Sequence, residues 1–458
     1  MKQAIAMLAG VMLVVAACGG SDSSETEDAS FEGGAVARTE PASDTTEASD
    51  DTAPAATDAA EGESDATEAP SETEAPAEAD DDGVLNVPDE YATIQEGVDA
   101  AQAGDLVLIA PGVYNEAVDV VTDEIVIRGL EREGVVLDGE FELDNGIRVL
   151  GAKGVAVENL TTQNYTDNGV FFTAADGYRA SYITAYRVGD YGVYAFDSVN
   201  GQIENSYGAG SPDAGFYIGQ CYPCNAVMDN VLSEHNGLGY SGTNAGGNLT
   251  IVNSTFRFNR AGVVPNSGSY ELCYPQRDNL IVGNTIYSNN QPDTPAIDVA
   301  LLAMGNGVVV AGGIGNTIER NLIYDHDRTG ISLTPFLEEA ANDDVPTEDE
   351  WEISCEEQRL QPLAEDIPEA VLWEAYDNIV RDNDISESRG ADLGVAGVDV
   401  PTGDLRNCWA GNIITSSQPA DLETLAPCGS AAVPADDPAW SVDPLDVFGW
   451  LAEADSQP

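Results

Sequence analysis

The sequence predicts an all-β chain whose short strands wind into a stacked coil. The first observation is a glycine column with a 23-residue period, in which each glycine is followed by an alternating apolar run such as GVFFT or GVYAF. The glycines are Gly146, Gly169, Gly192 and Gly215, with Gly239, Gly262, Gly307 and Gly330 in later repeats. Because such short strands cannot each bury a face alone, we expect every repeat to stack on its neighbours, about 4.8 Å apart.

A recurring asparagine is the second observation. Buried amides at equivalent bends can pair with those above and below, which satisfies polar groups that burial would otherwise penalise. Amphipathic helices are the alternative for a single segment, but the period and the Asn/Gly punctuation favour strands. The predicted ladder consists of Asn159, Asn205, Asn230, Asn253, Asn284, Asn321 and Asn383, with Tyr182 in one repeat. A further column, six residues on, is expected to contain Asn236, Asn259, Asn290 and Asp327.

The segment at 87–118 opens the coil and carries a family resemblance. Ile94, Val98 and Ala101 lie on one helical face, the helix ends at Gly104, and a strand is expected at 106–110, before the string PGVYNE. With the repeats, this opening resembles the right-handed parallel β-helix proteins of the pectin-lyase-like superfamily over roughly 84–425. The resemblance implies a right-handed parallel β-helix whose short N-terminal helix caps the first coil. Pectin methylesterases and the accessory protein of nitrous-oxide reductase maturation open in a similar way.

Irregular ladder spacing predicts the domain organisation. The β-helix domain is expected at 84–430, and the longest step, from Asn321 to Asn383, indicates an insertion at about 336–375. In β-helix proteins such insertions leave the turns and wall a groove along one face. We expect the Pro/Asp-rich segment 431–458 to form a C-terminal tail or cap.

The N-terminus predicts export. Residues 1–18 combine Lys2 with 14 mostly apolar residues, too few to span a bilayer, and end in Val-Ala-Ala-Cys. This ending resembles the lipobox of bacterial lipoproteins, which implies acylation of Cys18 and anchoring to the outer face of the membrane. Ordinary signal-peptide cleavage, with Cys18 incidental, is the alternative. Residues 19–83 hold 21 acidic residues and one base, and are expected to form a disordered tether.

Charge excludes some partners. The chain carries a formal net charge of −64, and residues 84–458 still carry −45, so a nucleic-acid binder is excluded. The excess of acids indicates a saline habitat or divalent-ion binding, with Ca²⁺ as the candidate cofactor. It also favours neutral or acetylated glycans over polyuronates. We expect a monomer.

Six further cysteines predict structural disulfides in an exported chain, with 15 possible pairings. Cys408 with Cys428 is the preferred pair, since both lie near the end of the repeats. The C-x-x-C string at 221–224 lacks both a βαβ context for redox work and a second ligand pair for zinc. The remaining cysteines are Cys221, Cys224, Cys273 and Cys355.

Candidate catalytic residues are few. Residues 324–328, YDHDR, faintly resemble the DPHD string of mannuronan C5-epimerases, which implies roles for Asp325, His326 and Asp327. The simpler interpretation is that Asp327 occupies a ladder position. His235 lies at the position equivalent to His326, three coils away, too far to form a dyad with it. No metal site is predicted.

A group of tyrosines offers a sugar-stacking platform, although ordinary packing explains inward-alternating positions equally well. Its members are Tyr178, Tyr182, Tyr186, Tyr191, Tyr194, Tyr207 and Tyr217, accompanied by Arg179 and Arg187.

Three functions remain open, because one fold supports many activities. The first is a surface-tethered β-helix that binds or modifies polysaccharide as a lyase, hydrolase or epimerase. The second is a noncatalytic accessory or scaffold protein of the nitrous-oxide-reductase maturation type, and the third is a structural adhesin. The signature strings of pectin methylesterases, polygalacturonases and pectate lyases are absent from the sequence, and the scarcity of His and Met disfavours copper.

Overall fold

The computed structural model describes residues 83–339, 341, 353–361 and 368–454. The predicted signal peptide, Cys18 and the acidic tether lie outside the described residues. The described chain winds as a parallel β-helix, with one 20-stranded and one 11-stranded sheet and a two-stranded antiparallel ribbon. The predicted all-β coil is confirmed.

The elements follow the repeat. The strands of the first coils are β1 Val84–Val87, β2 Leu106–Ile109, β3 Gly112–Tyr114, β4 Val118–Val120, β5 Val126–Gly129, β6 Val135–Asp138, β7 Ile147–Leu150, β8 Ala156–Gln163, β9 Val170–Thr173, β10 Arg179–Tyr186 and β11 Tyr191–Phe196. The central strands are β12 Gln202–Glu204, β13 Tyr207–Ala209, β14 Ala214–Gly219, β15 Ala226–Asp229, β16 Leu232–Glu234, β17 Leu238–Thr243, β18 Gly246–Val252, β19 Thr255–Arg257, β20 Ala261–Asn266, β21 Arg277–Val282 and β22 Thr285–Tyr287. The last strands are β23 Val308–Ala311, β24 Thr317–Glu319, β25 Leu322–His326, β26 Thr329–Thr334, β27 Phe336–Glu339, β28 Ala370–Trp373, β29 Ile379–Arg381, β30 Asp384–Ser388, β31 Ala391–Val395, β32 Cys408–Ala410 and β33 Ser417–Gln418. The helices are α1 Ile94–Ala100, α2 Asp298–Ala303, α3 Cys355–Leu360, α4 Leu422–Leu425 and α5 Val447–Ala454, with 3-10 turns at Thr402–Asp404 and Pro438–Ser441.

Each full coil contributes to three faces. The first face begins with β1, β2 and β5, and the second begins with β3 and β6; both belong to one sheet because β8 and β10 continue around the corner between them. The third face is the separate 11-stranded sheet, from β4 to β33. Its strands lie between two turn regions that vary in length, so long turns can overhang this face.

Inward-pointing side chains form apolar columns along the coil axis. On the first face, Val157, Ala180, Ile203, Met228 and Ile251 occupy equivalent positions in successive coils and are fully buried. Each such column removes apolar surface from water, and this burial contributes a favourable free energy of about 25 cal/mol per Å². Stacking of one repeat on the next therefore stabilises the coil, as the repeat pattern predicts.

The predicted asparagine ladder consists of two adjacent columns. Asn159, Asn205, Asn230 and Asn253 have positive φ and turn the corner between the first and second faces. Asn230 Nδ2 donates to Asn205 Oδ1 at 2.8 Å, whereas Asn253 Nδ2 donates to Asp229 Oδ1 at 3.0 Å. These positions require a left-handed backbone conformation, which Asn tolerates better than most residues.

The buried ladder lies one residue further along the chain. Asn284, Asn321, Asn383 and Asn412 are each less than a tenth exposed. In each of the first three, Nδ2 donates to Oδ1 of the next asparagine in the column at 2.9–3.1 Å. The backbone N–H groups of Asn284, Asn321 and Asn383 also donate to the next Oδ1 in the column. One spacing pattern therefore covers a left-handed corner in early coils and a buried amide stack in later ones.

The corner between the second and third faces holds a second ladder. Asn236 and Asn259 belong to it as predicted, but the next members are Asn289 and His326 rather than Asn290 and Asp327. The one-residue difference arises because Asn284 and Asn321 align with Ser254 rather than with Asn253, so a count of six from them passes the corner by one residue. His326 is consequently enclosed among amides.

The ends and the insertion have defined partners. Helix α1 buries Ile94 and Val98 over the first coil, with Thr93 as its N-cap. The insertion contains the ribbon β27–β28 and helix α3. Disulfides join Cys221 to Cys224, Cys273 to Cys355, and Cys408 to Cys428. In the tail, Trp440 is buried and α5 packs against α2.

Candidate binding groove on the third face

Four aspartates stack along the corner that precedes the third face. Asp144, Asp167, Asp190 and Asp213 are 23 residues apart and each lies two residues before a repeat glycine. The backbone N–H of Asp190 donates to the carbonyl of Asp167 at 2.8 Å, and that of Asp167 donates to the carbonyl of Asp144 at 2.9 Å. We call this set the aspartate column. Its D-x-G signal is present in the sequence but is easily overlooked beside the glycines.

Aromatic side chains cover the adjoining outer surface of the third face. Phe171, Tyr194 and Tyr217 occupy equivalent positions on β9, β11 and β14. The ring of Tyr194 stacks on Phe171 with a centroid separation of 4.7 Å and on Tyr191 at 4.3 Å. Its edge contact with Tyr217 has a separation of 4.8 Å. Offset and edge-on contacts of this kind hold the rings rigidly.

A loop at 267–276 brings a fifth carboxyl group to the opposite edge. This loop follows β20, and Glu271 accepts a hydrogen bond from the Tyr217 hydroxyl at 2.6 Å. Across the rings, the Tyr191 hydroxyl donates to Asp213 Oδ2 at 2.5 Å. Two tyrosines are therefore each paired with one carboxyl group. We call the aromatic residues 171, 191, 194 and 217, with Asp190, Asp213 and Glu271, the tyrosine–acid groove.

Burial raises the carboxyl pKa values in the groove. The pKa of Asp213 rises to about 8 because the side chain is buried and Asp190 lies nearby, although the bond from Tyr191 opposes the rise. The pKa of Glu271 also rises to about 8, mainly through burial. The pKa of Asp190 rises to about 6 through burial and the charge of Asp167. Near neutral pH, the groove can hold protonated and ionised carboxyl groups side by side.

One buried polar atom in the groove has no hydrogen-bond partner among the described residues. It is Oδ1 of Asp213, a residue that is 7% exposed. The partly exposed phenol of Tyr194 lies nearby, and its pKa is raised by burial and by the charges of Glu271, Asp190 and Asp213. Because buried polar groups are ordinarily satisfied, the unpaired Asp213 oxygen singles out this part of the third face.

The structure separates the predicted tyrosine group. It brings Tyr191, Tyr194 and Tyr217 together on the third face. Tyr178 is buried in the core, and Tyr182 lies at an exposed corner. Tyr186 and Tyr207 are on the second face, where Tyr207 bonds Glu234. Sequence spacing could not separate these sets, because inward and outward positions alternate within one strand.

The four predicted catalytic candidates lie outside the groove. His326 is fully buried, and burial lowers its pKa to about 3. Asp325 has a positive φ and accepts a hydrogen bond from Ser288 Oγ, while Asp327 pairs with Arg389 at 2.8 Å. His235 is exposed at a corner and stacks on Phe258. None of these contacts places two of them at one reacting centre, so their catalytic assignment stays a prediction.

A separate cavity of about 440 Å³ lies near the C-terminal end of the third face. Arg328, Thr329, Gln418, Leu445 and Trp450 contribute to its lining. The Arg328 guanidinium lies over the ring of Trp450, 5.0 Å from its centroid. This cavity is several coils from the tyrosine–acid groove and shares no residue with it.

The described residues do not offer a metal centre. They contain no group of three His, Cys, Asp or Glu side chains arranged to hold an ion. The six cysteines are all in disulfides, and His326 is enclosed in an amide ladder. This donor set does not fit copper, which favours imidazole and sulfur ligands.

Comparison with known proteins bears on the fold and the family. A family model described as NosD, periplasmic copper-binding protein, matches residues 119–338, just under half of the chain. Together with the uninterrupted parallel pairing of three faces, this match decides the fold. The chain is a right-handed parallel β-helix protein.

Solved β-helix structures resemble this β-helix protein at low sequence identity. The A-module of mannuronan C-5 epimerase AlgE4 from Azotobacter vinelandii is 14% identical, with a TM-score of 0.46, over 72% of this chain and 92% of that chain. An alginate lyase from Paenibacillus sp. is 14% identical, with a TM-score of 0.36, over 69% and 98%. The periplasmic alginate epimerase AlgG is 12% identical, with a TM-score of 0.39, over 72% and 83%. No curated protein matches.

Proposed function

We propose that this β-helix protein binds a neutral or acetylated polysaccharide along the tyrosine–acid groove. The observation that carries the proposal is the set of stacked aromatic rings beside a buried carboxyl oxygen of Asp213 that has no partner among the described residues. Aromatic faces pack against the apolar faces of sugar rings, while hydroxyl and carboxyl groups fix their orientation.

Charge supports the choice of a neutral ligand. Residues 84–458 carry a formal charge of −45, and the aspartate column runs along one edge of the groove. A polyuronate would meet repulsion there unless cations intervened. A neutral glycan can instead donate hydrogen bonds to the carboxyl groups and accept them from protonated ones, without electrostatic repulsion.

The family match favours a second candidate, a noncatalytic accessory protein in the periplasm. In that role the outer surface would bind a protein partner, as would also be true of a structural adhesin. Glycan binding by the wild-type protein that is weakened by a substitution in the groove would distinguish the present proposal from both alternatives.

The location is part of the proposal. We propose that acylated Cys18 anchors the protein to the outer face of the membrane and that residues 19–83 hold the domain away from it. Among the described residues, no helix is both long and apolar enough to cross a bilayer.

Replacing Cys18→Ala should release the protein into the medium, because two or more acyl chains supply the anchoring energy. Membrane retention equal to that of wild type, measured by fractionation and immunoblotting, would contradict anchoring.

Replacing Tyr194→Ala tests the groove. Loss of the central ring should weaken binding about two- to twelve-fold, since one aromatic contact contributes about 0.5–1.5 kcal/mol. Affinity for xylan, galactomannan, laminarin, alginate and polygalacturonate would be measured by affinity electrophoresis and calorimetry. Tyr324→Ala is the matched control, because Tyr324 also stacks on a tyrosine but lies on the second face, 4.8 Å from the Tyr287 centroid.

Two results would contradict the proposal. One is absence of binding to all five polymers by the wild-type protein. The other is an equal loss of affinity in the Tyr194 and Tyr324 variants, which would assign binding to a different surface.

A further inference from the structure

We propose that the tyrosine–acid groove cleaves the polysaccharide it binds, with Glu271 as the proton donor and Asp190 as the base that activates water. This inference rests on the proposed function. It assigns glycoside hydrolysis, the reaction type that two carboxyl groups perform on a neutral glycan.

The topology brings the two carboxyl groups to opposite edges of the groove. Asp190 immediately precedes β11, at the corner where the chain enters the third face. Glu271 lies on the loop that follows β20, where the chain leaves that face. Both charges act on the Tyr194 phenol, which lies between these edges. A sugar ring packed on Tyr194 would therefore have one carboxyl group on each side.

Ionisation assigns the two roles. Burial raises the pKa of Glu271 to about 8, so its carboxyl group is largely protonated at pH 7. The pKa of Asp190 rises only to about 6, so its carboxyl group is largely ionised at the same pH. Neighbouring carboxyl groups with separated pKa values are suited to acid and base roles.

The reaction balances with water as the only co-reactant. Water attacks the anomeric carbon and transfers a proton to the Asp190 carboxylate, forming a new C–O bond. The glycosidic C–O bond breaks, and the leaving oxygen takes the proton of Glu271. Exchange with solvent then removes the proton from Asp190 and returns one to Glu271, so each cleavage consumes one water and yields one reducing end.

Several contacts position Glu271. Gln220 Oε1 accepts the N–H of Leu272 at 2.9 Å, and Asn244 Nδ2 donates to the carbonyl of Glu271 at 2.7 Å. The N–H of Cys273 donates to Gln358 Oε1 on α3 at 2.6 Å. The loop is thus fixed to the third face on one side and to the insertion on the other. A fixed donor is what general acid catalysis requires.

Substituting the two carboxyl groups tests the inference. Wild-type protein is incubated with each of the five polymers, and new reducing ends are measured alongside binding. We expect cleavage of the bound polymer, an optimum between about pH 6 and 8, and a loss of rate of about 100-fold or more for Glu271→Gln and for Asp190→Asn. Both variants should retain binding, since the amides preserve size and hydrogen bonding. Glu234→Gln, on the second face, should cleave at the wild-type rate.

The outcomes separate the two proposals. If wild-type protein binds a polymer but releases no reducing ends, hydrolysis is wrong and the binding function stands. Full activity in either variant likewise overturns the assigned roles. If no polymer binds, both proposals fail.

Discussion

At the corners of the coil, adjacent residues meet different physical demands. Asn230 and Asn253 adopt positive φ at an exposed corner, where the backbone conformation selects them. Asn321, in contrast, is 1% exposed and donates to and accepts from neighbouring amides. Losing a partner costs about 1–3 kcal/mol at such a buried site, and much less where water can replace it.

His326 takes the place of an asparagine in a buried ladder, and this makes it sensitive to acid. Burial lowers its pKa to about 3, whereas in an unfolded chain the histidine pKa has its ordinary value of about 6.5. Below pH 6.5 the unfolded state therefore binds more protons, and the free energy of unfolding falls as the pH drops toward 3.

Replacing His326→Asn should remove this loss and keep an amide in the ladder. We expect the slope of unfolding free energy against pH between 3 and 6.5 to decrease by up to about 1.4 kcal/mol per pH unit. Urea unfolding at several pH values measures the slope. His235→Asn, at an exposed position, is the control and should leave it unchanged. An unaltered slope in the His326 variant would contradict the account.

At the scale of elements, two of the disulfides hold different parts of the molecule. Cys273–Cys355 joins the loop that carries Glu271 to helix α3 of the insertion. Cys408–Cys428 joins β32 to the segment after α4, at the end of the coil. The first bond therefore holds the loop of the groove, and the second holds the end of the coil.

Paired serine variants should distinguish these effects. We expect the double replacement of Cys273 and Cys355 to weaken glycan binding several-fold, because the loop at 267–276 loses its covalent link to α3. The double replacement of Cys408 and Cys428 should lower the free energy of unfolding by about 2–4 kcal/mol and leave affinity unchanged. Calorimetry and urea unfolding measure the two quantities. Equal affinities in both variants would show that the first disulfide does not position the groove.

At the scale of the whole molecule, net charge dominates. The described domain combines a strongly acidic composition with ion pairs such as Arg179 with Glu158 and Glu204, which neutralise only a few of its carboxylates. Self-repulsion destabilises compact states, and salt shortens its range from about 10 Å at 0.1 M to about 3 Å at 1 M.

We therefore expect the urea midpoint to rise between 0.1 and 1 M NaCl. Magnesium or calcium chloride at equal ionic strength is the comparison. A similar rise in all salts indicates screening, whereas a larger rise with one divalent ion indicates specific binding. A midpoint that stays constant or falls with NaCl would contradict the role assigned to self-repulsion.

The sequence by itself determined the coil. Its 23-residue period, its corner residues and its capping helix specify the stacking of strands, because each depends on local backbone geometry and on burial that every repeat shares. The same period also contained the aspartate column, since Asp144, Asp167, Asp190 and Asp213 recur in step with the glycines.

Only the tertiary structure decided which side chains meet across coils. Glu271 reaches Tyr217, 54 residues earlier, through a loop whose path no repeat encodes. Whether a tyrosine points inward or outward depends on its exact register in the strand. Whether His326 or Asp327 enters the ladder depends on the one-residue offset between Asn253 and Asn284 in the repeat. A shift of one residue reverses the face of every side chain that follows, so the coil could be predicted from spacing but the groove could not.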